Sequence, residues 1–265
     1  MDILAMHHTN TDFRKFWKST SKMNVDHSLP VSIDGVTEPR QVAEMFKDHF
    51  LVPSPLSSSN SVNDAETYQG PVSTLIRAKD INTVIKRMKR GKSPGHDGLS
   101  IEHLLYAGSH LPRLLALLFN ICIGHSYLPP DMMRTVVVPV VKNKTGDVSD
   151  RSNYRPISLA TIIAKVLDSV LNTHLDRHLQ LHDAQFGFRP KLSTESAITC
   201  LKHAVRYYTE RSTPVYGVFL DLSKAFELVS YDKLWKKLKE TNIPIEILNV
   251  FRFWYSNQTN GFIQA

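Results

Sequence analysis

"YGVFLDLSKAFE", residues 216–227, decides the fold class of this sequence. The stretch begins with apolar and aromatic residues that favour a strand, reaches one carboxylate at Asp221, and then becomes polar and helical. Side chains alternate between the two faces of a strand, so Asp221 is predicted to lie opposite Val218 and Leu220. A carboxylate at the end of an apolar strand can reach solvent or a metal ion. It can equally be an ordinary N-cap or turn aspartate, and these residues alone leave both interpretations open.

The composition favours a polyanionic partner. The 265 residues include 32 Lys+Arg against 25 Asp+Glu, a formal net charge of +7, which is typical of, though not specific to, proteins that bind nucleic acid. Cys122 and Cys200 are the only cysteines, which argues against a disulfide scaffold or a cysteine-based zinc site. No apolar run is long enough for a membrane span, and the N-terminus has no secretion-signal pattern. We therefore expect an intracellular protein, nuclear or cytoplasmic, that is neither secreted nor membrane-spanning.

Hydrophobic periodicity divides the chain into three predicted regions. Residues 1–51 form a helical N-terminal extension, and residues 52–79, rich in Ser, Pro and Asn, form a flexible linker. Residues 80–265 form the main domain, in which helices surround a hairpin with one strand at residues 134–141 and a further strand at residues 215–222. This order of helices, hairpin, helices, strand and helices predicts an α+β fold.

Positive charge is concentrated in "IKRMKRGKSPG", residues 85–95. Its basic side chains are Lys86, Arg87, Lys89, Arg90 and Lys92. Such a cluster can neutralise nucleic-acid phosphates and make binding depend on salt. The alternative is a solvated helix face with no ligand, which a charge run alone does not exclude.

Five short motifs together resemble a known family. In order they are "GKSPGHDGL" (91–99), "NYRPISL" (153–159), "QFGFRP" (185–190), "FLDLSKAFE" (219–227) and "IPIEILNVFRFWYSNQT" (243–259). In order and spacing they resemble the reverse transcriptase domain of LINE-type non-LTR retrotransposons, over roughly residues 80–258. The resemblance implies a right-hand polymerase fold, with fingers at about residues 80–212 and the start of the palm at about residues 213–265.

The family resemblance also implies an activity. An RNA-directed DNA polymerase copies an RNA template by extending a DNA primer with deoxynucleoside triphosphates, using two Mg²⁺ ions. Mg²⁺ prefers oxygen ligands, which carboxylates supply. Asp221 matches the family's first metal-binding and catalytic aspartate, and the backbone carbonyl of Leu222 is the expected neighbouring ligand.

Four further residues match nucleotide-binding positions of the family. Lys142 and Arg155 lie in a predicted fingertip hairpin that closes over the triphosphate, where Arg offers a planar fork to phosphate oxygens. Phe226 matches the bulky residue beneath the incoming sugar, although a core aromatic is the alternative. Arg189 is interpreted either as a template or nucleotide contact or as a structural ion-pair partner.

Two departures from the family pattern qualify the expected activity. Glu227 stands where the family usually has a second aspartate, and no Asp-Asp pair occurs anywhere in the sequence. We therefore expect a partial, catalytically incomplete polymerase lacking the downstream aspartates. The alternatives are a residual nucleic-acid-binding module without chemistry, or a non-functional interaction protein.

Overall fold

The computed structural model describes residues 32–51, 75–222, 224–226 and 228–262. It divides into two compact units. In the described part of the chain, the first unit comprises residues 32–49 and 139–155, and the second comprises the remaining segments. No helix in these described segments is long and apolar enough to cross a membrane.

Helices make up most of the described structure, and three short strands form one sheet. The helices are α1 Pro39–Phe50, α2 Ala78–Arg87, α3 Ile101–Tyr106, α4 Leu111–Gly124, α5 Pro130–Met133, α6 Ile162–Leu175, α7 Thr194–Thr209, α8 Tyr231–Glu240 and α9 Ile245–Asn257. The strands are β1 Arg134–Val141, β2 Tyr154–Leu159 and β3 Thr259–Phe262, with a 3-10 turn at Arg151–Asn153. The mixed helix and sheet content agrees with the predicted fold class.

The first unit joins the described part of the N-terminal extension to the hairpin loop. The ring of Phe46, on α1, lies 5.0 Å from that of Tyr154, centroid to centroid. The Asp34 carboxylate pairs with the Arg151 guanidinium at 3.1 Å, and the Asp34 N–H donates to the Ser149 carbonyl at 2.8 Å. Residues 32–49 are therefore packed against this loop. The first part of the extension, residues 1–31, lies outside the described residues.

The second unit is built on a helical core. Helix α2 packs against α4 and α6, and α9 packs against α4. Phe119, Leu167, Leu171 and Ile247 are fully buried there, as the apolar stripes of their helices predict. Ile76 is also buried, so this body begins before the predicted linker boundary at residue 79. Residues 52–74 of that linker lie outside the described residues.

The sheet has the order β2-β1-β3, with β1 in the middle. The predicted hairpin supplies β1 and β2, whereas β3 was not expected from its polar sequence. It pairs in parallel with β1, from Arg134 opposite Thr259 to Val137 opposite Phe262. Across this pairing the Thr135 hydroxyl donates to the Asn260 side-chain oxygen at 2.6 Å.

Two of the predicted elements differ in the structure. Apolar residues at helical spacing predict a helix over residues 162–182, but α6 ends at Leu175, and turns follow at residues 176–178. The strand predicted over residues 215–222 is irregular backbone. A strand needs a partner for its N–H and C=O groups, and in the described residues none pairs with this segment.

A close backbone contact fixes the turn at residues 91–100. A Cβ atom added to Gly95 would lie 2.8 Å from the carbonyl carbon and oxygen of Ala160 and 2.8 Å from the Thr161 nitrogen. All three are backbone atoms at the junction between β2 and α6, so they cannot rotate away. Glycine is therefore required at this position by space.

We predict that Gly95→Ala destabilises the protein by about 2 kcal/mol, within the range of roughly 1–3 kcal/mol for overpacking a close contact. Gly187→Ala is the matched control, because a Cβ there meets nothing within 4 Å. Urea denaturation followed by circular dichroism measures both. Equal stability of the two variants would contradict the steric argument.

Candidate nucleotide and nucleic-acid site

Asp221 lies in an exposed, irregular segment. Alternation predicts one buried and one exposed face for residues 215–222, but the side chains on both faces are exposed: Val218 by 83%, Phe219 by 85% and Leu220 by 90%. The Asp221 side chain is exposed as well. The segment therefore presents its carboxylate on an extended, apolar stretch that the described residues do not cover.

Phe226 contacts an aromatic residue that sequence reasoning missed. Its ring packs edge-on against that of Phe188, with the centroids 6.1 Å apart. Phe188 belongs to the "QFGFRP" motif, and its backbone has a positive φ of 60°, uncommon for a bulky residue. Both rings are largely exposed, Phe188 by 86% and Phe226 by 75%. The predicted sugar-binding residue is thus not a buried core aromatic, and the unusual φ places Phe188 beside it.

The described residues do not assemble a metal centre around Asp221. They contain no group of three or more His, Cys, Asp or Glu side chains placed to hold a metal ion. The Asp221 carboxylate and the Leu222 carbonyl are too few oxygens for the octahedral set that Mg²⁺ demands. Glu227, the other candidate, lies outside the described residues.

Arg189 is engaged in local contacts with the loop that precedes it. One guanidinium nitrogen, Nη1, donates to the carbonyls of His182 at 3.2 Å, Asp183 at 3.4 Å and Gln185 at 3.5 Å. The same nitrogen lies 4.0 Å from an Asp183 carboxylate oxygen. These contacts tie the loop together and agree with the structural interpretation of Arg189; its role toward a nucleotide stays a prediction.

The loop between β1 and β2, residues 142–153, is the predicted fingertip loop, and the side chain of one asparagine holds its shape. The Asn153 side-chain amide donates to the carbonyls of Asn143 and Asp147, each at 2.9 Å, and its oxygen accepts from the Asn143 N–H at 3.0 Å. The Lys142 ammonium donates to the Ser152 carbonyl at 3.0 Å. Arg155 is exposed on β2. Lys142 and Arg155, the two predicted phosphate contacts, therefore extend from backbone that is ordered by hydrogen bonds.

The fingertip loop also carries negative charge. Asp147 accepts hydrogen bonds from the hydroxyl and N–H of Ser149, and Asp150 accepts the same pair from Ser152. These bonds lower the pKa of both carboxyls, because they stabilise the ionised form. The two carboxylates therefore offset part of the positive charge of Lys142 and of its neighbour Lys144.

The basic cluster of residues 86–92 lies at the end of α2 and in the turn that follows, and its five side chains are exposed. In the described part of the chain no carboxylate forms an ion pair with any of the five. The Gly91 N–H donates to the Glu102 carboxylate at 2.8 Å, and this bond is the main reason that the pKa of Glu102 is lowered, with a smaller contribution from nearby Arg90. The turn is thus fixed while its positive charge stays at the surface.

Comparison with known proteins identifies the family. Residues 141–264 match the family model described as reverse transcriptase (RNA-dependent DNA polymerase). This part of the chain is similar to reverse transcriptases. The match includes the fingertip loop, the "QFGFRP" motif and the Asp221 segment, so the recognition based on the motif series is confirmed.

The chain is also similar to curated proteins of retrotransposable elements. It is 26% identical to the Pol polyprotein of the R1 element of Bradysia coprophila over 85% of the chain, and 30% identical to that of the R2 element of Popillia japonica over 63%. It is 25% identical to the RNA-directed DNA polymerase of the mobile element jockey of Drosophila melanogaster over 77%. The matches cover 22%, 22% and 21% of these relatives, so the chain spans about a fifth of their length.

The exposed Asp221 segment and helix α6 should differ sharply in local stability. The backbone amides of residues 215–222 take part in no strand pairing among the described residues, and the side chains around them are exposed. In α6, by contrast, Val166, Leu167 and Val170 are fully buried. We expect hydrogen exchange to be close to the unprotected rate in the segment and slowest in α6. Mass-spectrometric exchange on the native chain measures both regions. Comparable protection in the two would contradict the observed packing.

Proposed function

We propose that this chain is part of an RNA-directed DNA polymerase of a non-LTR retrotransposon, and that it supplies the surface holding the template and the incoming nucleotide. In this proposal residues from about 80 to 212 act as fingers and residues from about 213 onward as the start of the palm. The RNA template, the DNA primer and the deoxynucleoside triphosphates are its partners. Support comes from the five ordered motifs and from the reverse transcriptase match over residues 141–264.

The exposed basic cluster is the observation on which nucleic-acid binding rests. Five exposed cations lie within seven residues at the end of α2 and in the following turn, whose backbone is fixed by the Gly95 contact. Fixed, solvent-exposed cations release counterions from nucleic acid at little conformational cost. Contacts to phosphates do not read bases, so the expected binding has little sequence preference.

Two other surfaces are proposed to hold the nucleotide. Lys142 and Arg155 contact the triphosphate from the fingertip, where the Asn153 bonds hold the loop frame. Phe226 lies beneath the sugar, and its edge contact with Phe188 limits the orientations that its ring can take. Arg189, whose guanidinium contacts the 182–185 loop, supports that motif and is available to a template or nucleotide phosphate.

Asp221 is proposed to contribute one carboxylate, with the Leu222 carbonyl as a second ligand, to a site for divalent cations. When bound, two Mg²⁺ ions activate the primer hydroxyl and stabilise charge at the reacting phosphate. The ligands gathered by the described residues fall short of such a site. Catalysis therefore requires further carboxylates to be brought to the Asp221 segment.

A nucleic-acid-binding module without chemistry is the second candidate function. The exposed basic cluster favours it, because binding through phosphates needs neither a metal nor the carboxylate set. The third possibility, an interaction protein whose charge has no ligand, predicts binding that is absent or indifferent to salt. Salt dependence therefore separates the second and third candidates.

We predict that nucleic-acid affinity falls steeply with salt and that replacing Lys86, Arg87, Lys89 and Arg90 together by Ala flattens the dependence. Each lost phosphate contact lowers the magnitude of the slope of log K against log[salt] by roughly 0.7–0.9, so the loss of four contacts lowers it by roughly 2.8–3.6. Fluorescence anisotropy at several salt concentrations measures the slope.

The matched control removes four exposed lysines elsewhere: Lys202, Lys233, Lys236 and Lys237. It lowers the net charge equally but leaves the proposed surface intact, so its slope should stay close to that of the native chain. Equal effects of both variants would show that only net charge matters. A salt-independent affinity of the native chain would contradict the proposed binding through phosphates.

We further predict that the 265-residue chain alone does not extend a primer with Mg²⁺, template and nucleotides. Two divalent ions held close together repel each other and need several carboxylates to offset their charge. The same chain continued through a family-type downstream segment with paired aspartates should extend the primer, and Asp221→Asn should abolish that activity. Primer extension on a gel compares the three proteins. Mg²⁺-dependent extension by the 265-residue chain, lost on Asp221→Asn, would refute the incomplete-site proposal.

A further inference from the structure

An open cavity of about 410 Å³ lies beside the basic cluster. It is bounded by the end of α2, the turn at residues 91–100, the end of β2 and the start of α6, all within the second unit. This volume lies within the range of roughly 300–1,000 Å³ that is typical of small-molecule pockets. The cavity is therefore large enough to take a compact organic group.

The cavity is lined mainly by apolar side chains. They come from α3, β2, α6 and the connection between α2 and α3: Met88, Leu99, Ile101, Leu159 and Ile162. Ile101 and Ile162 are themselves buried, so these walls belong to the core and do not collapse into the space. An apolar lining of this kind favours a flat, weakly polar group over a fully hydrated one.

Positive charge surrounds the apolar lining. Lys89, Lys92 and Lys165 line the cavity, and none of the described residues that line it is acidic. The Lys165 ammonium lies 3.5 Å from the Ser93 carbonyl, a long contact. Three cations around an apolar space suit a ligand that has an anionic end and a flat, apolar end.

The cavity is also continuous with the exposed basic cluster. Lys89 and Lys92 belong to both, while Lys86 and Arg87 precede them on α2 outside the cavity. A strand whose phosphates follow the cluster therefore passes the mouth of the cavity. A nucleotide of that strand has the required pair of features, a phosphate and a planar base.

We propose that this cavity binds one unpaired nucleotide of a nucleic-acid strand, with its base against the apolar lining and its phosphate beside Lys89, Lys92 and Lys165. The inference rests on the nucleic-acid binding proposed above and adds a distinction between unpaired and paired strands. A base inside a duplex must leave its stack and its partner before it can enter a pocket, which costs a few kcal/mol. An unpaired base enters without that cost.

The rigid walls make such selection effective. The Gly95 backbone contact and the bond from Gly91 to Glu102 fix the turn that forms one side of the cavity. A preformed pocket loses little free energy to ordering when a ligand enters. Filling it with a bulky side chain should therefore remove base binding while leaving the basic cluster in place.

The test uses Ser158→Trp in the full 265-residue chain. Ser158 is exposed on β2 and lines the cavity, so an indole at this position occupies the space without removing a positive charge. Ile157→Trp is the matched control, because Ile157 is an exposed residue of the same strand that does not line the cavity. Anisotropy is measured with a labelled short oligodeoxyadenylate and with a blunt duplex that contains the same strand.

We expect the native chain and Ile157→Trp to prefer the single strand by about tenfold, equivalent to about 1.4 kcal/mol. Ser158→Trp should lose this preference, with its duplex affinity unchanged within about twofold of native. Lys165→Met is a second variant that leaves the apolar space nearly unchanged; it should weaken single-strand binding more than duplex binding. Circular dichroism melting curves check that each variant is folded.

The outcomes separate this inference from the function on which it rests. Equal native affinity for both probes, or a preference that survives both Ser158→Trp and Lys165→Met, would overturn the unpaired-nucleotide site while nucleic-acid binding stands. Absence of binding to either probe would overturn both. Displacement of the strand by free adenosine monophosphate, without any single-strand preference, would overturn the strand-borne assignment in favour of a free nucleotide.

Discussion

The contact of Gly95 with the Ala160 and Thr161 backbone determines how the basic part of the molecule is built. The contact leaves no room for a side chain, so the turn at residues 91–100 lies directly on the junction between β2 and α6. The end of α2 is held by the same arrangement, because it packs on α6 while its continuation enters the turn. The exposed lysines and the cavity beside them thus have a rigid support.

Stability is unevenly distributed over the second unit, and the candidate residues follow that distribution. Each of the core helices α2, α4, α6 and α9 has at least one fully buried apolar side chain. The segment that carries Asp221 has no such cover. The proposed nucleic-acid binding through the basic cluster therefore relies on the well-packed part of the fold, whereas the proposed metal binding relies on its least protected part. The first proposal needs no further structure, and the second depends on what pairs with the segment.

The distribution of charge also distinguishes the two surfaces that are proposed to bind phosphate. The basic cluster at the end of α2 and in the turn that follows presents five exposed cations, and the Glu102 carboxylate accepts a hydrogen bond from the Gly91 N–H in this turn. The fingertip loop combines Lys142 with the ionised carboxylates of Asp147 and Asp150. Mixed charge weakens long-range attraction for a polyanion but still permits a contact of defined geometry. The basic cluster therefore suits the capture of a nucleic-acid strand, and the fingertip loop suits local contact with one triphosphate.

Local sequence was sufficient for the helices and for the β1–β2 hairpin. The apolar stripe of α6 and the N-cap at Ser100 are both evident from neighbouring residues in the sequence, because helix formation depends on neighbours within about one turn. The five motifs identified the family for the same reason, since each is a short run of consecutive residues. The roles of the individual site residues remain predictions, because the sequence alone does not place them around a ligand.

Tertiary structure decided the elements that depend on distant partners. Residues 215–222 have the composition of a strand but are irregular, because no described strand pairs with them. Residues 259–262 are polar and contain Gly261, yet they form β3 because β1 offers a free edge. The cavity, the Phe188–Phe226 contact and the need for glycine at position 95 likewise arise from residues far apart in the chain. The sequence by itself determined local conformation, family and charge, whereas the structure decided pairing and cavities, because these require groups that only folding brings together.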